Sequence, residues 1–153
     1  MNIKVNDSKV LAKLNKLKGK ISNASPLLKA VALFHLRETA RTFQSEGKRD
    51  EHVKWKEFSP HYKRRPSGKM ITSKSKLLQD TGTLKQSFKE ISESPFEIVW
   101  GSLLDYAPKH QFGEGKTPAR EMLFITEKDK EMMKRLSHNW IKNQILSVAK
   151  GGR

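Results

Sequence analysis

The chain reads as an α+β domain, with N-terminal helices and a long C-terminal helix packed on a small, mainly antiparallel sheet. Three observations predict it. Apolar residues recur at three- and four-residue steps in two stretches near the N-terminus and one at the C-terminus, the period of an amphipathic helix. In the middle, two short extended segments meet at Ser94-Pro95, the pattern of a hairpin. The length of 153 residues fits one domain, 1–153, with a modest core.

Taken in order, Ile3–Val5 allows a short strand, and Asp7 can cap a helix carrying Val10, Leu11, Leu14, Leu17 and Ile21 on one face. Lysines cover the rest of that helix, either as a solvated face over a core stripe, the reading preferred here, or as a surface for nucleic acid. Ser25-Pro26 starts a second helix, the hydroxyl capping and proline at the first position. It runs to Glu46 with a broad apolar band and ends at Gly47. A band that wide fits burial against a sheet or sharing with a neighbouring subunit. His35 falls within it as a core-edge histidine.

Residues 48–76 keep neither a helical nor a strand period and are expected to form a long, partly mobile loop. Trp55 and Phe58 are expected to anchor it to the core, leaving Lys63, Arg64 and Arg65 free, with Lys69 nearby, as a basic surface for DNA. Asp80, Thr81 and Gly82 then form a turn in which glycine supplies a positive φ. A strand is expected from about Gln86 to Ser92, paired antiparallel with Phe96–Gly101. Tyr106–Gly113 is a helical turn or coil closed by glycine, and Glu114–Arg120 an extended arm. Met122–Ile125 is apolar enough for a third strand. Thr126 and Asp129 have capping-box spacing for the last helix, which presents Met133, Leu136, Trp140, Ile141, Ile145 and Val148 on one face.

The formal net charge is +15, unevenly placed. Residues 1–20 hold six lysines against one aspartate, and residues 48–76 ten basic groups against three acids, whereas residues 77–126 hold five basic groups against seven acids. Basic flanks around a near-neutral centre favour polyanions or acidic protein surfaces as neighbours. The absence of cysteine rules out disulfides, cysteine zinc sites and thiol nucleophiles, and fits synthesis in a cytoplasm. No stretch approaches the ~18 apolar residues of a membrane span, and no membrane partner is expected.

The central stretch carries a resemblance. Leu77-Leu78-Gln79-Asp80-Thr81-Gly82-Thr83-Leu84-Lys85-Gln86-Ser87 is followed by a strand ending in Gly101. Then come Tyr106-Ala107-Pro108-Lys109-His110-Gln111-Phe112-Gly113 and Thr117-Pro118-Ala119-Arg120. Four pieces in this order resemble the phage virion morphogenesis (tail completion) family. The resemblance implies a structural role at the head–tail neck or tail end of the virion, as tail completion, tail terminator or head–tail joining protein. It further implies a homo-oligomeric ring around the DNA path, for which a hexamer is one copy number, beside other neck or tail proteins. Tyr106, His110, Gln111, Phe112, Pro118 and Arg120 are the interface residues it marks.

No enzyme is expected. His110 with Tyr106 and Asp105 has the look of an acid–base set, but no nucleophile, carboxylate pair or phosphate-cradling glycine loop accompanies it. His35, His52, His61, His110 and His138 fall in no metal-ligand spacing, and no cofactor is expected. The alternative to the phage role is a small basic nucleic-acid-binding module. It rests on charge alone, since no helix-turn-helix, zinc-finger or RNA-binding aromatic pattern is present.

Overall fold

The computed structural model describes residues 7–150. The short strand expected at Ile3–Val5 lies outside them, as does the side chain of Asp7. The elements run α1 (Asp7–Ile21), α2 (Ser25–Gln44), α3 (Thr83–Gln86), β1 (Lys89–Glu93), β2 (Ile98–Gly101), α4 (Ala107–Phe112) and α5 (Glu127–Lys150). This is the α+β architecture expected: long helices against a two-stranded antiparallel sheet.

The α2 helix is the spine, contacting both strands and α5. Its buried line is more polar than the apolar band suggested: Ala32, His35, Glu38, Thr39, Thr42 and Phe43. The two threonines are tolerated because each hydroxyl donates to a carbonyl one turn back, Thr39 to His35 at 2.9 Å and Thr42 to Glu38 at 3.0 Å. His35 stacks on Trp100 of β2 with ring centroids 4.9 Å apart, and burial pushes its imidazole below the ordinary value. The Ser25 hydroxyl does not cap α2; it donates to the Glu93 carboxylate, which tethers β1 to the helix start. Asn23 Oδ1 accepts the Ser25 N–H instead, at 3.0 Å.

Between Gln44 and Thr83 no helix or strand forms, yet the segment is fastened at both ends. The Glu46 carbonyl accepts the Trp55 N–H at 2.7 Å and its carboxylate the Leu77 N–H at 2.8 Å. Trp55 is buried, with its indole N–H donating to Glu121 O at 2.8 Å. Phe58 packs beside it on the core of Phe43, Trp55, Leu77, Leu84, Ala107 and Met122. Both aromatics anchor the loop as expected. Arg65 is not free: its guanidinium donates to Lys76 O at 2.7 Å and lies 5.6 Å from the Phe58 ring, with its side chain 8% exposed. Lys63, Arg64 and Lys69 remain exposed.

The hairpin forms in the expected direction but starts later. Leu84–Gln86 belong to a helical turn, and pairing begins at Lys89↔Gly101, with a bulge between Glu90 and Ser92. Glu114–Arg120 is no extended arm; Glu114 and Thr117 bridge each other, and Arg120 N–H donates to His110 O at 2.7 Å. Nor do Met122–Ile125 form a third strand. The Gln111 side chain takes their backbone groups: Oε1 accepts from Met122 and Leu123 at 2.8 and 3.0 Å, and Nε2 donates to Leu123 O at 2.8 Å. The capping box is present, with Thr126 N–H donating to Asp129 at 2.9 Å and Asp129 N–H to the Thr126 hydroxyl at 3.2 Å.

Gly82 stands at the start of α3 with φ of +84°, as its turn requires. Gly82→Val costs about 1–3 kcal/mol, the penalty of a β-branched residue in left-handed backbone. Ser73→Val, at an exposed loop position, is the control and stays within roughly 0.5 kcal/mol of wild type. Matching urea midpoints for the two variants contradict the turn assignment.

Candidate functional site

The separate pieces of the central motif meet at one groove. Its volume is about 860 Å³, and its wall includes Asp80–Leu84, Tyr106, His110, Pro118 and Arg120. The opposite wall comes from the loop, through Phe58, Tyr62 and Arg65–Ser67. Sequence reasoning assigned the turn, the Tyr106–Phe112 segment and the basic loop to three separate tasks. The structure brings parts of all three together.

Asp80 is the clasp. Its carboxylate accepts the Ser67 hydroxyl at 2.5 Å and the Ser67 N–H at 3.1 Å, closing the loop over the turn. Those hydrogen bonds from Ser67, and then Arg65 and Lys69 nearby, hold its carboxyl below the ordinary range. The turn backbone is served by Thr81 instead, whose hydroxyl oxygen accepts the Thr83 N–H at 3.4 Å. Asp80 therefore joins two distant segments, where the sequence suggested a local turn bond.

Arg120 is a second clasp. Nε donates to Lys56 O at 2.9 Å and Nη2 to Glu57 O at 3.2 Å, so this buried guanidinium ties the motif to the loop from below. Burial and the Arg120 charge push the His110 imidazole below its ordinary value, and its Nδ1 is buried without a hydrogen-bond partner. Gln111 is fully engaged inside the chain through its bonds to Met122 and Leu123. Phe112 lies apart from the groove and is 77% exposed, and Leu103 is 66% exposed. Of the six residues marked as an interface, Tyr106, His110, Pro118 and Arg120 line the groove, Gln111 braces the chain and Phe112 stands in solvent.

The groove offers little to a nucleobase. Phe58 already stacks with Tyr62 at 5.9 Å and lies under Arg65, and the Tyr106 ring meets His110 edge-on at 6.1 Å. Stacking on a strand needs an open aromatic face. Among the described residues no group of three or more His, Cys, Asp or Glu could hold a metal ion. The distinctive polar side chains bind backbone groups of their own chain.

The sequence reading missed Lys116 and Tyr62 as groove residues, and it missed the ion cluster behind them. There Arg49 pairs with Glu38 at 3.2 Å and with Asp129, all three nearly buried. An arginine beside two acids in sequence, Asp50 and Glu51, gave no sign that its partners are 11 and 80 residues away.

Fold and groove together define a small α+β module whose distinctive chemistry is mechanical fastening and surface display. The chain belongs to the phage virion morphogenesis family, whose model matches residues 5–142. Comparison with curated proteins and with solved structures gives no match. The protein's role is therefore in building a phage particle.

The exposed basic tip carries its own expected result. Replacing Lys63, Arg64 and Lys69 with alanine leaves the melting temperature unchanged, because all three are exposed. Affinity for duplex DNA falls, and the slope of log K against log salt shrinks by about 0.9 for each phosphate that the tip ceases to neutralise. An unchanged slope in a salt titration removes the tip from DNA binding.

Proposed function

We propose that the protein is a structural subunit of the head–tail neck or tail end, acting in tail completion, termination or head–tail joining. In this role it forms a ring around the DNA path and contacts other neck or tail proteins. The observation that carries this reading is the convergence of the family motif on a preformed groove, next to large apolar side chains left in solvent. Grooves of this kind take side chains or extended segments of partners, and clustered exposed apolar residues mark association surfaces. A subunit with a groove and a separate knob is suited to heterologous contacts, which close into rings. The basic tip at Lys63, Arg64 and Lys69 suits sequence-independent phosphate contact in a lumen.

Phe112 is the knob. Because it is 77% exposed, Phe112→Ala changes stability by no more than about 0.5 kcal/mol. It nevertheless lowers the titre in complementation of a phage lacking the wild-type protein by at least about tenfold, on the scale of a 1.4 kcal/mol anchor. Micrographs of the lysate then show unjoined heads and tails. Full titre from the alanine variant contradicts the assignment of Phe112 to an assembly surface.

A further inference from the structure

The sheet is unfinished on one side. Among the described residues β2 pairs only with β1, and residues 98–101 make no backbone hydrogen bond to any other segment. Its open edge faces the Met122–Ile125 segment across a cavity of about 310 Å³ whose floor is His35, Thr39 and Arg49. An open edge is a row of backbone donors and acceptors ready to pair with an added strand. Val99 and Ile125, on either side of the gap, are 38% and 50% exposed.

Arg49 supplies an independent sign that something enters. Its side chain is 9% exposed, and its Nε is buried without a hydrogen-bond partner although the rest of the guanidinium is saturated. A buried donor left unpaired is costly, and a backbone carbonyl entering the cavity is the acceptor it lacks.

We infer that this slot receives the N-terminal arm of a second copy of the chain, residues 2–6, as an added β-strand. The arm, Asn2-Ile3-Lys4-Val5-Asn6, alternates polar and β-branched residues, the pattern of a strand with one buried face. Fully extended, six residues reach about 20 Å beyond the start of α1. A neighbour's slot is favoured over the chain's own because the first turns of α1 are uncovered: Val10, Leu11 and Leu14 are 50%, 58% and 55% exposed. One adjoining subunit covers both the uncovered helix start and the open sheet edge. The contact is heterologous, one subunit giving an arm and the next offering an edge, so it repeats around a ring. The inference rests on the ring reading and names its joint.

The absence of cysteine makes the test clean. Full-length chains carrying Ile3→Cys with Val99→Cys, or Val5→Cys with Val99→Cys, are oxidised and run on a non-reducing gel. A ladder of covalent multimers is expected from at least one pair. Single-cysteine variants mixed with each other should give the cross-linked dimer, and a chain lacking residues 2–6 should fall to a smaller native mass. Rings that form no interchain cross-link with either pair, and that persist without the arm, overturn the slot and leave the ring reading intact. A cross-link confined within one chain overturns the choice of occupant. Monomeric wild-type protein, together with cysteine variants that form no cross-link, overturns both.

Discussion

Arg49→Ala lowers stability by about 3–5 kcal/mol, the usual cost of removing one partner from a buried ion pair. Arg49 bridges α2 to the start of α5, through Glu38 at 3.2 Å and Asp129, and also donates to Phe124 O at 3.4 Å. Without it, Glu38 keeps Arg41 at 2.7 Å, but that arginine is largely exposed. Asp129 keeps only backbone and hydroxyl donors around a residue 3% exposed. Removal of the cation therefore strands a carboxylate at the junction of loop, α2 and α5. Urea unfolding monitored by tryptophan fluorescence reads the effect directly. Arg64→Ala, on the exposed loop tip, is the matched control and stays within about 0.5 kcal/mol of wild type. Equal midpoints for the two variants contradict the placement of Arg49 as the central cation of the fold.

Gly47→Val is the second large effect, roughly 3–5 kcal/mol, from two causes that act together. The residue sits at φ of +92° just past α2, a conformation strained for any side chain by about 1–3 kcal/mol. An added Cβ also falls 2.6 Å from Trp55 Nε1 and closer still to its Cδ1. The indole cannot retreat, because it is 4% exposed and its N–H is bonded to Glu121 O at 2.8 Å. Overpacking of this kind costs about 1–3 kcal/mol more. Gly19→Ala is the contrast: nothing lies within 4 Å of the added Cβ, and alanine is the better helix former by about 1 kcal/mol. A Gly47→Val protein that melts with wild type contradicts the packing of Trp55 against the end of α2.

What could be read from the sequence was what local chemistry decides. The helices follow from apolar period, Gly82 from its turn, and the Thr126–Asp129 capping box from a three-residue spacing that suffices to identify both hydrogen bonds. Trp55 and Phe58 were legible as anchors because large aromatics in a polar loop have few other places to go. What was not legible depended on partners far along the chain. Met122–Ile125 has strand composition, but an amide eleven residues earlier takes its backbone groups. Arg65 looks like its neighbours Lys63 and Arg64, and only the approach of Lys76 O and Phe58 sets it apart. Ser25 looks like a cap and instead reaches Glu93, 68 residues away.

The groove shows the same division. Each motif piece was visible, and Asp80, Tyr106, His110, Pro118 and Arg120 were singled out by residue. That they share one cavity with Phe58 and Tyr62 depends on the Asp80–Ser67 and Arg120–Lys56 clasps, which no periodicity encodes.

The central claim is that this chain works as a ring subunit, and native mass spectrometry of the purified full-length protein with matched negative-stain micrographs tests it most directly. The account predicts one closed oligomer of fixed copy number, seen end-on as an annulus with a central opening. A monomer at micromolar concentration, with no annular particles alone or with the phage's tail and head fractions, contradicts it.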